Sequence, residues 1–267
     1  MRKLISFLLF IVFYAVLIPV LAQKVKTDPN VRYDLYLLIG QSNMAGRGNI
    51  EAQDTITDPN VFMLNKDENW VLAKSPLHFD KSVAGTGLGL TFGKIMAKES
   101  SRKVGLIPCA VGGTSISMWR PGAYDKVTKT HPYDDAIRRT KVALKNGELK
   151  GILWHQGEGD ASKDKAARYE QRFDSLMLNL QNDLLVDISS IPVVVGELGR
   201  FYCERNSAGK EINLVLKHIA ETRKNRALVS SKGLVHKGDS VHFDAASQRE
   251  LGKRYAEKVI KLTKKLK

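Results

Sequence analysis

The feature that most constrains the fold is an apolar run from Leu35 to Ile39, which shows no polar alternation and stops at Gly40. A short uninterrupted run of this kind is typical of a strand buried on both faces, as in a parallel sheet. Ser42 follows two residues after Gly40. Residues just beyond the carboxyl end of such a strand lie in the crevice where open α/β sheets bind ligands. Ser42 is therefore a candidate nucleophile, although Gly-Ser-Asn clusters also form ordinary turns.

The rest of the chain alternates short apolar runs with segments whose apolar residues recur at helical spacing. Strands are predicted at 103–111, 149–154, 191–196 and 228–230, and helices at 90–97, 133–145, 161–185, 211–225 and 245–266. Residues 61–64 and 70–72 are expected to form short strands or a hairpin that decorates the domain. One strand per crossover predicts an α/β fold in which helices cover both faces of a parallel sheet.

The first 22 residues have the pattern of a secretory signal peptide. Arg2 and Lys3 precede an apolar block over residues 4–20, and the small residue Ala22 stands before the predicted cleavage point. A single transmembrane anchor is the alternative, because the block is near the lower length limit for spanning a bilayer. We expect one sizeable α/β domain over residues 23–267, exported to the periplasm or the exterior, without stable membrane insertion after cleavage.

Charge and cysteine usage limit the partners that can be expected. The formal net charge is +14, and much of the excess lies in the last predicted helix. Such a surface could attract acidic polysaccharide, but a solvated helix face is the simpler interpretation. Tyr255 is the one aromatic residue among these lysines, so an interleaved pattern is missing and no nucleic-acid partner is predicted. Cys109 and Cys203 either pair or remain buried thiols, and neither has metal-ligand spacing, so no metal is predicted.

An acid and a base stand three residues apart in Asp239-Ser-Val-His242, directly before the last predicted helix. On a turn, this spacing lets the carboxylate bind one imidazole nitrogen and leaves the other free to take a proton from a serine. The alternative is that Asp239 or Asp244 caps the helix and that His242 is a surface histidine.

Two other strand ends offer hydrogen-bond donors. Gly112 and Gly113 can present a backbone N–H to a developing oxyanion because no Cβ obstructs the approach, or they form a simple tight turn. Gln156 adds a side-chain amide at the end of the next strand. Glu158 could hold Gln156 or the imidazole, replace Asp239 as the acid, or cap the next helix, and spacing does not decide among these roles.

Four blocks, in order along the chain, carry a resemblance to a known family. The blocks are Gly40-Gln-Ser-Asn-Met44, Cys109-Ala-Val-Gly-Gly-Thr-Ser115, Trp154-His-Gln-Gly-Glu158 and Asp239-Ser-Val-His242. They resemble those of SGNH-type (GDSL-like) esterases, above all the branch with carbohydrate esterase family six, acetylxylan esterase-like proteins and sialate O-acetylesterase-like domains. The resemblance implies a flavodoxin-like three-layer α/β/α sandwich.

By this resemblance, Ser42 is the nucleophile, His242 the base and Asp239 its orienting acid. The implied reaction removes acetyl groups from sugar hydroxyls through an acetyl-serine intermediate, with no cofactor. The oxyanion hole would consist of the Ser42 N–H, a Gly112 or Gly113 N–H and the Gln156 amide.

The same blocks make Glu158, Asn43 and His155 supporting residues. Trp119 and Arg120, just beyond the second block, could stack on and orient a sugar, although a core tryptophan and a solvated arginine are the simpler interpretations. The rival functions are an esterase for non-carbohydrate acyl esters and a non-catalytic basic carbohydrate-binding module. The sequence leaves open which acetylated glycan is the substrate, and it leaves the oligomeric state open.

The surroundings of Ser42 do not match the Gly-x-Ser-x-Gly elbow of α/β-hydrolases, because no glycine stands two residues after the serine. We therefore expect the nucleophile on a looser loop, with its own N–H serving the oxyanion.

Overall fold

The computed structural model describes residues 32–267, so the predicted signal peptide at 1–22 lies outside the described residues. Seven strands form one sheet. The strands are β1 (Tyr33–Gly40), β2 (Val61–Leu64), β3 (Trp70–Leu72), β4 (Val104–Pro108), β5 (Gly147–His155), β6 (Val193–Gly196) and β7 (Arg226–Val229).

The strand order is β3-β2-β4-β1-β5-β6-β7, and every neighbouring pair is parallel except β2 with β3. Without the β2–β3 hairpin, the five remaining strands follow the order second, first, third, fourth, fifth. This is the flavodoxin-like arrangement, whose ligand crevice lies where the order reverses, here between β1 and β5. The hairpin does not merely decorate the domain, since β2 pairs with β4 and extends the sheet.

Helices cover both faces of the sheet. They are α1 (Ser42–Ala45), α2 (Leu88–Ser100), α3 (Pro132–Leu144), α4 (Lys163–Ala166), α5 (Tyr169–Leu184), α6 (Arg200–Arg205), α7 (Ser207–Glu221) and α8 (Ala245–Leu266). Side chains of β1 alternate between the faces, so Leu35 and Leu37 pack against α3, α5 and α7, whereas Tyr36 and Leu38 pack against α2 and α8. The uninterrupted apolar run is thus explained by burial on both sides.

Two local predictions were wrong. The helix expected over 161–185 is divided into α4 and α5, and no Gly or Pro marks the break in the sequence. Ser42 does not lie on a loose loop, because it is the first residue of the helical turn α1. The chain enters this turn through Gly40, which has a φ of +135° and whose hydrogen faces the carbonyl of His155. A side chain at Gly40 would collide with that carbonyl, so the close approach of β1 and β5 requires glycine.

Within residues 32–267, Cys109 and Cys203 are both buried and free. No helix in this part of the chain is long and apolar enough to cross a membrane.

Candidate active site

Ser42 and His242 meet at the carboxyl end of β1. The Ser42 hydroxyl lies 3.0 Å from His242 Nε2, across 200 residues of sequence. Because Ser42 opens α1, its own N–H has no intrahelical acceptor, and it donates to no other group in the described chain. The site therefore contains a serine with an imidazole on one side and a free backbone donor.

Asp239 holds the other nitrogen of His242. Its Oδ2 lies 2.7 Å from Nδ1, and its Oδ1 accepts the N–H groups of Val241 and His242 at 2.9 and 2.8 Å. Partial burial opposes ionisation of this carboxyl, but these hydrogen bonds outweigh it and lower the pKa of Asp239 to about 2. The charged carboxylate keeps the proton on Nδ1, which leaves Nε2 free to accept the serine proton.

Asn43 connects the loop that carries His242, residues 239–243 (the histidine loop), to α1. Its Nδ2 donates to the Val241 carbonyl at 3.1 Å and to Glu158 Oε1 at 2.5 Å, and its Oδ1 accepts the Phe243 N–H at 3.2 Å. Both residues that flank His242 are therefore fixed by one side chain. Burial raises the pKa of Glu158, whose second carboxyl oxygen has no partner within residues 32–267. Glu158 binds Asn43, and the acid bound to His242 is Asp239.

The expectation that Gln156 points an amide into an oxyanion hole is not met in this structure. Its side chain is fully buried, and its Nε2 lies within 3.0 Å of Gln41 Oε1, the Thr114 carbonyl and Asp160 Oδ2. Its carbonyl oxygen accepts from the Tyr169 hydroxyl at 2.8 Å. The two amide protons have three nearby acceptors, on Gln41, Thr114 and Asp160. The Gln156 side chain therefore links these three segments and is not free to bind a substrate oxygen.

The two glycines of the second block differ in what their N–H groups do. The N–H of Gly112 donates to Asp80 Oδ2 at 2.8 Å, so it is not free for a substrate. The N–H of Gly113 donates to no group in the described chain, and the residue is exposed with a φ of +90°. Of the two alternatives, the geometry leaves Gly113 as the available donor.

The remaining predicted residues lie away from the reacting atoms. His155 is fully buried, its Nδ1 lies 3.0 Å from the Tyr255 hydroxyl, and burial lowers its pKa to about 3. Trp119 is also buried, packs edge-on against Trp154 and donates to Thr114, so it is a core residue and not a platform for sugar. Arg120 is exposed, and no described contact links it to the site.

Sequence patterns did not reveal the polar residues that support the site. Gln41 accepts from Gln156 and from the Gly159 N–H. Asp160 is fully buried and accepts from Ser115 at 2.6 Å and the Ile116 N–H at 2.8 Å. Their only sequence signal is a position inside or beside the four blocks. Within residues 32–267, no group of His, Cys, Asp and Glu side chains could hold a metal ion.

A flavodoxin-like domain with a serine after its first strand and an Asp-x-x-His before its last helix has the architecture of the SGNH-type hydrolases. A family model described as "carbohydrate esterase, sialic acid-specific acetylesterase" matches residues 32–261. The chain belongs to this family and is accordingly a carboxylic ester hydrolase.

Individual proteins are also similar to this chain. A "probable carbohydrate esterase" of Arabidopsis thaliana is 33% identical over 247 residues, which cover 84% of this chain and 88% of the relative. A solved structure of an Arabidopsis thaliana protein has a TM-score of 0.75 at 29% identity, covering 85% of this chain and 97% of that one. A carbohydrate acetylesterase from Xanthomonas citri has a TM-score of 0.69 at 17% identity, covering 87% and 57%, and shows the shared fold alone.

Proposed function

We propose that this protein is a serine O-acetylesterase that removes acetyl groups from carbohydrate hydroxyls through an acetyl-serine intermediate. The observation that carries the proposal is the hydrogen-bonded series in which His242 bridges Ser42, at 3.0 Å, and Asp239, at 2.7 Å. This is the geometry in which an imidazole can deprotonate a serine as it attacks. The family membership and the Arabidopsis relative support a carbohydrate ester as the substrate.

In the first half of the reaction, Ser42 Oγ attacks the acetyl carbonyl carbon and passes its proton to His242 Nε2. The charge of Asp239 stabilises the imidazolium that forms. When the tetrahedral intermediate collapses, the C–O bond to the sugar breaks, and the sugar oxygen leaves with the proton from His242.

In the second half, water attacks the acetyl-serine and gives its proton to His242. Acetate leaves, and Ser42 Oγ regains its proton. The developing oxyanion would be held by the N–H groups of Ser42 and Gly113, which have no other acceptor in the described chain. This assignment replaces the Gln156 amide and the Gly112 N–H.

A cavity of about 450 Å³ lies against the loop that carries His242. It is lined by Tyr202, Arg205, Asn206 and residues 238–241. The volume falls within the range of small-molecule sites, but neither Ser42 nor His242 lines the cavity. The cavity therefore adjoins the catalytic residues and does not contain the reacting atoms.

The test compares wild type, Ser42→Ala and a matched serine control, Ser117→Ala, whose hydroxyl contacts Ser115 and not the histidine. The assay follows p-nitrophenyl acetate hydrolysis and acetate release from acetylated xylan, pectin and sialic acid. We expect Ser42→Ala to lose activity on the order of 10⁴-fold or more and Ser117→Ala to keep it. Equal rates for wild type and Ser42→Ala would exclude a serine mechanism.

We also propose export through the signal-like segment at residues 1–22, supported by its basic start and its apolar block. Mass spectrometry of the mature chain from the medium or periplasm should find an N-terminus at Gln23. Full-length protein recovered only inside the cell would contradict export.

A further inference from the structure

An ion pair lies directly behind the glycine turn of the active site. Arg47 Nη2 and Asp80 Oδ2 are 2.6 Å apart, and the two side chains are only 4% and 1% exposed. Arg47 also donates through Nη1 to the Gly46 carbonyl at 2.8 Å. Asp80 comes from a segment without helix or strand, residues 73–87, whereas Arg47 follows the turn that carries Ser42. The pair therefore joins two segments that are distant in sequence.

The pair and the nucleophile converge on Gly112. A Cβ on this glycine would collide with Arg47 Nη2, would lie 2.8 Å from Asp80 Oδ2, and would be 3.4 Å from Ser42 Cβ. A side chain at this position would displace the ends of the Arg47 and Asp80 side chains, so the ion pair keeps this geometry only beside a glycine. The ion pair therefore adjoins Gly112, whose N–H donates to Asp80, at a position close to Ser42.

Asp80 also determines which N–H group of the Gly112–Gly113 turn is free to bind a substrate. It accepts the Gly112 N–H at 2.8 Å, which turns that donor away from a substrate. The next N–H, that of Gly113, remains free, and the nearest group to a Cβ built on Gly113 is Lys81 Nζ at 3.8 Å. Fixing one peptide of the turn orients the peptide that follows.

The charge of the pair matters as much as its geometry. A carboxylate without a partner at the position of Asp80 would lie beside the place where negative charge develops in ester hydrolysis, and like charges repel strongly where water is excluded. The Arg47 guanidinium, at 2.6 Å, neutralises that carboxylate while leaving it able to accept the Gly112 N–H.

We propose that Arg47 and Asp80 form a positioning pair for the oxyanion side of the site. Asp80 holds the Gly112–Gly113 turn so that the Gly113 N–H faces the acyl oxygen, and Arg47 cancels the carboxylate charge beside Ser42. This inference rests on the proposed serine-esterase function.

The test uses Arg47→Gln, Arg47→Lys, Asp80→Asn and the double variant Arg47→Gln/Asp80→Asn. The matched control is Arg226→Gln, which breaks the ion pair of another buried arginine, with Asp174 at 2.7 Å. This pair lies at the amino end of β7, whereas the active site lies at the carboxyl ends of the strands. Each variant is measured for Tm, for kcat and KM on p-nitrophenyl acetate, and for the rate at which a fluorophosphonate labels Ser42. In the labelling step the serine oxygen bonds to phosphorus, fluoride leaves, and the serine proton passes to His242.

We expect Arg47→Gln to be the slowest variant, because it leaves the Asp80 charge without a partner. Its kcat and its labelling rate should both fall on the order of 10²-fold, as for a small misplacement of a reacting group, with KM changed only a few-fold. Arg47→Lys, which keeps the charge, and the double variant, which removes both charges, should each regain a substantial part of the loss. Arg226→Gln should lower Tm but leave both rates unchanged.

A merely structural pair predicts a different pattern. All variants would then lose Tm as Arg226→Gln does, while the folded protein kept wild-type kcat and labelling rates, and this result would overturn the inference. If wild type is labelled at Ser42 but releases no acetate from acetylated sugars, the proposed substrate fails while the labelling series still decides the role of the pair. A wild-type chain that the probe does not label would overturn both proposals.

Discussion

At the scale of single residues, the site depends on which acid holds His242. Asp239 is the one in contact, and its hydrogen bonds to backbone and imidazole keep its pKa near 2. Its carboxylate therefore stays charged from about pH 3 upward, so a fall in activity between pH 4 and 6 must come from another group. Glu158, the alternative acid, acts through Asn43 on the backbone around His242.

Asp239→Asn should lower kcat on the order of 10³- to 10⁴-fold, because an amide no longer selects the Nδ1–H tautomer. The control is Asp244→Asn, since Asp244 caps α8 through the Ser247 N–H and asparagine caps equally well. Steady-state kinetics on an acetyl ester check both variants. Equal activity of the two variants would show that Asp239 is not the partner acid.

Asn43→Ala should lower kcat by roughly 10²-fold, because both tethers of the histidine loop are lost. Glu158→Gln should stay within about tenfold of wild type, since an amide oxygen can still accept from Asn43 and mimics the protonated acid that burial favours. Kinetics with matched Tm values separate misplacement from unfolding. If Glu158→Gln is as inactive as Asp239→Asn, Glu158 is the essential acid.

At the scale of elements, the site is assembled where β1, β4 and β5 end and where α8 begins. Parallel strands bring Ser42, Gly113 and Gln156 to one edge, and the approach to α8 adds the Asp239–His242 turn. The position of α8 depends on its contact with α2, where Gly252 faces the Leu88 carbonyl and lies near Thr91. The backbone contact between these helices thus positions the turn that bears His242.

Gly252→Ala should destabilise the protein by about 1–3 kcal/mol, because the added methyl collides with the α2 backbone and outweighs the gain in helix propensity. The neighbouring exposed residue provides a control, Lys253→Ala. Urea unfolding of both variants measures the difference. Equal or greater stability of Gly252→Ala would show that the two helices can separate without cost.

At the scale of the whole molecule, two histidines are buried in neutral form. Burial lowers the pKa of His78 to about 4 and that of His155 to about 3. In the unfolded chain both histidines bind protons near pH 6.5, so the free energy of unfolding decreases as the pH falls below that value. Their stabilising effect is complete above about pH 6.5 and is lost progressively down to the folded-state pKa values.

Between about pH 6 and pH 4, each buried histidine should reduce the free energy of unfolding by about 1.4 kcal/mol per pH unit. His78→Gln should therefore show a shallower loss of stability with acid than wild type, whatever its stability at pH 7. The control is Val127→Ala at an exposed position, which removes no titratable group and should keep the wild-type slope. Urea unfolding at several pH values measures the slopes, and identical slopes for His78→Gln and wild type would contradict the assignment.

The family resemblance implied the flavodoxin-like arrangement. The sequence by itself determined the strand–helix order, the α/β class with a parallel sheet, and the placing of Ser42, Gly112–Gly113, Asp239 and His242 at strand ends or before the last helix. These follow from local patterns, because apolar runs, helical spacing and short motifs reflect backbone preferences and burial within a few residues. Only the tertiary structure decided which donors are free. Gln156 and the Gly112 N–H are bound by Asp160 and Asp80, and whether a polar group is already bound depends on packing between distant segments.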